Sequence, residues 1–354
     1  MDYILNGAVH GNLGRVLLNA NFDPDALRPW MGVDKDNNPT GQTFITQNVG
    51  GKPKSVLVHN AAATLRKDEW IELDEAVLKA ARQRLRIVAD IRGAGLEFNI
   101  SNGMAKTVLQ YQDQSDGGTA RISMDPRTKS TADRPQYDLL NLPLPIIHSD
   151  FSFGAREIAV SRNMNTPLDT TQAEQSGVRV SEEIEKLTLG EIETYTYGGG
   201  TISGLTNFPS RLTKTLTAPT SSNHATTVKE VLEMKTQSQD ANHFGPWMLY
   251  NSNAFDQFLD EDYSTAKGDN TLRDRLKRID GIQDVRPLDF LSGTVLLLVQ
   301  MTTNVVRMVV GMEITTLQWE TMGGLEQNFK VMAIIIPQLR ADQNSNTGIV
   351  HGSV

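Results

Sequence analysis

The sequence predicts an α+β fold, and three observations carry that expectation. Two long stretches, within 68–92 and 168–189, repeat apolar residues at helical spacing. Between them, residues 104–150 hold strand-like pieces around a long polar extension. After residue 226, short strands and short helices alternate. The chain has 354 residues, 39% hydrophobic and 21% charged. That suits one large domain with extensions or two domains, and it excludes a wholly disordered chain.

Residues 1–67 read as an N-terminal arm. Turn signals (Gly11, Gly14, Pro39, Gly50-Gly51, Pro53) separate short strand-like pieces such as 43–45 and 55–58. The segment is slightly basic against an acidic remainder, and its apolar content is too thin for a separate core. It is expected to pack on the rest of the chain or on a neighbour. Residues 68–103 hold the first helix. Trp70, Leu73, Val77, Ala81, Leu85 and Val88 form one face. Acidic residues come early and arginines late, which complements the helix dipole, and Gly93 and Gly95 end it.

In 104–150, Thr107–Tyr111 and Ala120–Met124 are strand candidates about the turn Ser115-Asp116-Gly117-Gly118. The polar stretch 125–137 follows. Such an extension cannot bury itself, so a partner surface is expected. Two prolines hold Leu142–Phe151 extended. The second helix, 168–189, opens on a capping-box pattern (Asp169, Gln172) and ends at Gly190. Its stripe of Ala173, Gly177, Val180, Ile184 and Leu187 is narrow and rich in small residues. A loop-rich linker with Gly198-Gly199-Gly200 leads to a helix at 226–238, a strand at 247–250, and short helices at 254–259 and 272–279. Strands at 295–299 and 305–310 are expected to pair as a hairpin across Met301–Asn304, with further strands at 314–319 and 329–336. The last dozen residues read as a frayed tail.

No catalytic, cofactor or metal constellation emerges. With no cysteine, disulfide frameworks, Cys-type zinc, iron–sulfur clusters and thiol nucleophiles are excluded. None of the six histidines is spaced as a helical metal motif. His148 beside Asp150 lacks any accompanying nucleophile-elbow serine. The glycine run at 198–204 lacks the Lys-Ser/Thr of a phosphate loop. Asp34, Asp36 and Asn38 open like a calcium loop, but Pro39 and Ile45 stand where glycine and the bidentate glutamate belong. The formal net charge of −8 argues against a dedicated nucleic-acid-binding domain. No signal peptide and no transmembrane helix are expected, so the chain reads as soluble in a reducing or redox-indifferent place.

The order of these elements resembles the HK97-like major capsid proteins of tailed bacteriophages and the related encapsulin shells. The resemblance rests on Trp70–Ile91, the 104–150 hairpin, Leu168–Leu189 and Gly204-Leu205-Thr206-Asn207. It extends to Gly245–Asn251 with Ala254-Phe255, and to the closing runs Val309–Ile314 and Phe329–Ala333. It implies an N-terminal arm (1–67), an N-terminal helix region (68–103) and an extended β-hairpin, the E-loop (104–150). A P-domain with a long spine helix (151–225, helix 168–189), an α/β A-domain (226–311), returning P-domain strands (312–340) and a C-terminal tail (341–354) follow.

By the same resemblance the chain is no enzyme. It is a virion capsid subunit, assembled in the host cytoplasm, that forms hexamers and pentamers and closes an icosahedral shell around double-stranded DNA. An encapsulin compartment is the alternative, and an enzyme with an unrecognised site a third. The resemblance also implies portal, scaffolding and decoration proteins as partners, no membrane and no cofactor. Lys106 and Lys129 are the lysines that match a cross-linking E-loop. Arg66, Lys67, Arg82, Arg84 and Arg86 would make weak, salt-sensitive contacts to packaged DNA. Gly198–Gly200 and Gly117-Gly118 are the expected adjustment points between five- and six-fold rings.

Overall fold

The computed structural model describes residues 28–34, 39–49, 52–58, 65–114, 122, 124, 137–164, 170–220, 223–263, 270–322, 325–342 and 344–354. The chain begins with an antiparallel meander of β1 (Trp30–Val33), β2 (Pro39–Val49) and β3 (Lys52–Val58). Trp30 stacks on Phe44, and the Trp70 indole donates to the Pro29 carbonyl at 2.9 Å. This part of the arm therefore packs on the first helix of its own chain.

The single helix expected over 68–92 is two: α1 (Lys67–Arg84) and α2 (Arg86–Gly93). Leu85 breaks them at φ −83°, ψ 74°. The apolar spacing continues through the break, so periodicity alone could not show it. Past β4 (Glu97–Asn99), a two-stranded ribbon forms from β5 (Val108–Gln114) and β6 (Tyr137–Pro143). The described partner of β5 is thus 137–143; of the expected partner 120–124, only Ile122 and Met124 are among the described residues. Then come β7 (Ile147–Gly154), α3 (Ala155–Met164) and α4 (Thr171–Leu189). On α4, a Cβ at Gly177 would stand 2.9 Å from the Val77 carbonyl oxygen, so the small residue lets α1 cross in near-contact.

The linker holds β8 (Tyr195–Tyr197), β9 (Gly200–Ile202) and β10 (Leu212–Thr215), followed by α5 (His224–Asp240) and β11 (Trp247–Ser252). Next are α6 (Asn253–Leu259), α7 (Leu272–Lys277), β12 (Ile282–Leu288) and β13 (Val295–Gln300), then β14 (Val306–Thr321), β15 (Glu326–Leu339) and β16 (Ile349–Ser353). The segments 305–310 and 314–319 are one strand, β14, whose register against β15 slips between Val310 and Thr315.

Two sheets organise the molecule. One has the order β10-β16-β13-β11-β12, the other β4-β14-β15-β7. The expected hairpin across Met301–Asn304 does not exist, because β13 lies in the first sheet and β14 in the second. Strands with both faces apolar carry no mark of which neighbour they take. The polar end of the chain is no frayed tail either. Strand β16 sits inside the five-stranded sheet, parallel to β10 and antiparallel to β13. A Cβ at Gly352 would meet the Leu216 side chain at 2.9 Å, so the glycine lets that leucine pack on the strand.

Alternation along β11 and β13 divides the interior. Trp247, Leu249, Leu296 and Leu298 pack with α5, α6 and α7. Met248, Tyr250, Leu297 and Val299 face the other way, into the main core with Trp70, Leu73, Val180, Ile184 and Phe329. A third cluster joins the ribbon base to the second sheet: Leu142, Leu144 and Ile202 against Val309, Ile334 and Ile336.

Candidate assembly surfaces and the junction behind them

The ribbon is a β-hairpin with its base buried and its outer half bare. Its base rests on the β8–β9 hairpin. Gly198 and Gly199 turn that hairpin at φ +60° and +75°, the left-handed pair a two-residue turn demands. The Asn141 side-chain amide donates to the Gly198 carbonyl at 2.9 Å. A Cβ on Gly200 would lie 2.0 Å from the Asn141 carbonyl oxygen, so the two backbones touch. The glycine run therefore seats the ribbon base on the linker. Gly117-Gly118, the other expected adjustment point, lies outside the described residues.

Farther out, Leu139 is 59% exposed and Leu140 40%. Neighbours on a strand point to opposite faces, so neither face of the outer ribbon is covered. Tyr137, Ile122 and Met124 are exposed as well. A two-stranded ribbon carrying bare apolar residues is marginal alone in water. A second apolar outcrop lies at the β14–β15 tip, where Met322 and Leu325 are exposed, as is Val160 on α3. The Leu325 carbonyl accepts the Ala155 amide at 2.9 Å, which seats the tip at the start of α3.

The expected basic residues do not form one patch. Arg66 and Lys67 stand at the start of α1. There the Glu69 carboxylate accepts the Arg66 amide at 2.8 Å, and the Lys67 ammonium lies over the Trp30 ring. Arg82 is exposed near the other end, about 22 Å away at 1.5 Å per residue. Arg86 is drawn to Asp289 and to the Pro287 carbonyl. The side chain of Arg84 is outside the described residues, as is all of Lys129, while Lys106 is exposed beside the ribbon base. His148 and Asp150 lie on the exposed side of β7, with Asp150 3.4 Å from the Lys330 ammonium. Among the described residues no group of three His, Cys, Asp or Glu could hold a metal ion, and no helix is long and apolar enough to cross a membrane.

A polar junction that sequence reasoning missed holds the helices to the five-stranded sheet. Glu185, 2% exposed on α4, accepts the backbone amides of Arg86 and Ile87 at 3.1 and 2.8 Å. It thereby caps α2 from another helix and makes the break at Leu85 possible. One turn on, Asp90 accepts from the Tyr250 hydroxyl at 3.1 Å and pairs with Arg286 of β12. Burial raises the Asp90 carboxyl despite that guanidinium. Burial likewise pushes Glu185 up to about 7, against the three backbone amides that lower it.

Folded Glu185 holds its proton more tightly than the unfolded chain does, so its contribution is full below about 4.5 and is lost as pH rises through about 7. The loss is about 3 kcal/mol at 1.36 kcal/mol per pKa unit. Glu185→Gln keeps the accepting oxygen but cannot ionise. Thermal denaturation at pH 4.5 and pH 8 is expected to show a variant equal to the parent at the lower pH and more stable at the higher. A variant with the parent's full pH slope would refute this role for Glu185.

A family model described as "Family of unknown function (DUF6260)" matches residues 60–352. The chain belongs to that family. This DUF6260 chain is 26% identical over 200 residues to the type 1 encapsulin shell protein EncA of Myxococcus xanthus, a match spanning 54% of this chain and 62% of that protein. Among solved structures it is similar to the virus-like particle from Pyrococcus furiosus, with TM-score 0.57 and 15% identity, over 80% of this chain and 99% of that one. It is also similar to the capsid of Myoviridae phage XM1, with TM-score 0.55 and 10% identity, over 70% of this chain and 86% of that one. A structure from Mycobacterium phage Adephagia gives TM-score 0.54 and 13% identity, over 75% and 90%. The DUF6260 chain has the HK97-like α+β fold, and the proteins it matches here are a virus-like particle, a phage capsid and an encapsulin shell protein.

Proposed function

We propose that this chain is the repeating subunit of a closed icosahedral shell, assembled through hexamers and pentamers, and that it is a phage major capsid protein enclosing double-stranded DNA. The observation that carries the shell reading is the ribbon, bare on both faces, on a fold that shell proteins share. A ribbon reaching over the next copy makes a heterologous contact, which closes into rings when the rotation between copies closes. In this reading the boundaries inferred from the resemblance apply. The ribbon is the E-loop, α4 the spine helix, and the five-stranded sheet with α5–α7 the core of the A-domain. Lys67 and Arg82, both exposed, are the DNA contacts it favours, and Lys106 is the ribbon amine in reach of a neighbour.

The phage reading draws on the XM1 capsid match. It also draws on the fifth of this chain that lies outside the match to the Pyrococcus particle, although nearly all of that particle's chain is covered. The sequence similarity to EncA favours the second reading, a protein compartment. Electron microscopy of the purified chain tests both, with shells or rings expected and a persistent monomer ruling both out. Nuclease-protected DNA in particles from the native source supports the first reading, and protein contents with no DNA support the second.

A further inference from the structure

The face of β14–β15 that carries the ribbon base ends in an unusual polar cluster. Successive residues on this face are Val309 and Ile336, then Arg307 and Gln338, which pair directly across the two strands. Two residues beyond Gln338 stands Arg340. The Arg307 guanidinium lies 4.2 Å from the Phe98 ring centroid on β4, and that of Arg340 lies 5.6 Å from the Tyr111 ring centroid on β5. The two guanidiniums therefore reach from β14–β15 to a ring of β4 and a ring of the ribbon.

Donors here outnumber acceptors. Arg307 Nε donates to Gln338 Oε1, the cluster's one side-chain acceptor so used. On the same amide, Gln338 Nε2 is buried with no hydrogen-bond partner, and so is Arg340 Nε. Gln338 itself is fully buried. No carboxylate of the described residues is ion-paired with either arginine, whereas the half-buried Arg28, Arg92 and Arg273 each have one. Two adjacent like charges and a buried donor in a chain of net charge −8 leave an acceptor wanting. Burial and the neighbouring Arg340 both press the Arg307 guanidinium towards its neutral form, as expected of cations lacking a counter-charge.

We propose that Arg307, Arg340 and Gln338 form an oxyanion site, which takes a carboxylate or phosphate group from outside the described residues. Two planar guanidiniums held by ring faces are suited to bidentate capture of such a group. The amide Nε2 of Gln338 supplies a further donor beneath them.

The test is calorimetric titration of the full chain with inorganic phosphate and with succinate, at ionic strength fixed by chloride. Saturable binding of at least one anion is expected, weakened at least tenfold by Arg340→Gln and unchanged by Lys229→Gln on the exposed face of α5. Preference for phosphate marks a phosphoryl ligand, and preference for succinate a carboxylate such as a second copy would bring. Gln338→Glu supplies the missing acceptor internally, so it is expected to abolish binding and to raise the Tm. The proposal is overturned by absent saturable binding, by binding that Arg340→Gln leaves intact, or by a Gln338→Glu variant with a lowered Tm.

Discussion

Replacing Gly204 by alanine is expected to cost this protein at least about 3 kcal/mol of stability. The reason lies at the end of α4. A helix leaves its last carbonyls without partners, and here a loop from farther along the chain supplies them. Gly190, at φ +92°, ends the helix, and its amide and that of Glu191 both reach the Lys186 carbonyl. The Leu205 amide then donates to the Thr188 carbonyl at 3.0 Å, and the Thr206 amide and hydroxyl both donate to Leu189 at 2.8 Å. Asn207 closes the loop, with Oδ1 accepting from the Gly204 amide at 2.7 Å and Nδ2 donating to the Gly190 carbonyl at 3.2 Å.

For these bonds to form, Gly204 must lie against the helix terminus. A Cβ there would stand 2.1 Å from the Gly190 nitrogen and 2.5 Å from the Leu189 carbonyl carbon, both main-chain atoms that cannot swing aside. Thermal denaturation is expected to show a Tm lower by several degrees in Gly204→Ala. Asn207→Asp tests the same cap by charge. It keeps the accepting oxygen, loses the donor, and sets a negative group beside the negative end of the helix dipole. It should fall below Asn207→Ala, and a parental Tm in all three variants would mean that the loop does not hold the helix.

This cap illustrates what was and was not legible in the sequence. The course of α4 could be read from its own residues, because Ala173, Gly177, Val180, Ile184 and Leu187 fix one buried stripe and Gly190 stops it. The function of Gly204–Asn207 could not, since its partners lie seventeen residues away in sequence and a Gly-Leu-Thr-Asn run has no local period. Strand pairing failed for the same reason. Segment 120–124 alternates more strictly than 137–143 does, and what ties 137–143 into the fold beside β5 is Asn141 and Leu142, which meet β9 and the second sheet. In the sequence, Glu185 is one more charge on a helix with polar outer faces. Only the fold brings it to the amides at the start of α2. The candidate surfaces were half legible. The extension announced itself by being unable to bury its residues, whereas the neighbouring pair Arg307 and Arg340 became visible only once β4, β5 and β15 were side by side.

The other large effect is expected on assembly and not on the folded subunit. Leu139→Ser with Leu140→Ser removes one bare apolar side chain from each face of the outer ribbon. Neither residue contributes to the clusters under the ribbon base, so the subunit's Tm should stay within about a degree, as for exposed substitutions in general. Each leucine that a neighbour covers is worth about 1–2 kcal/mol at 25 cal/mol per Å² of apolar area. Losing even one of them from a contact therefore weakens it roughly tenfold. A shell repeats that contact at every subunit, so the losses compound and assembly should fail at concentrations where the parent forms particles. A shortened ribbon provides the complementary arm. Removing residues 115–136 and joining Gln114 to Tyr137 through an Asn-Gly turn preserves the paired base and deletes everything beyond it. Sedimentation velocity and electron microscopy would read both variants. Soluble, folded subunits without particles are expected, and intact shells from either one would remove the outer ribbon from the assembly interface.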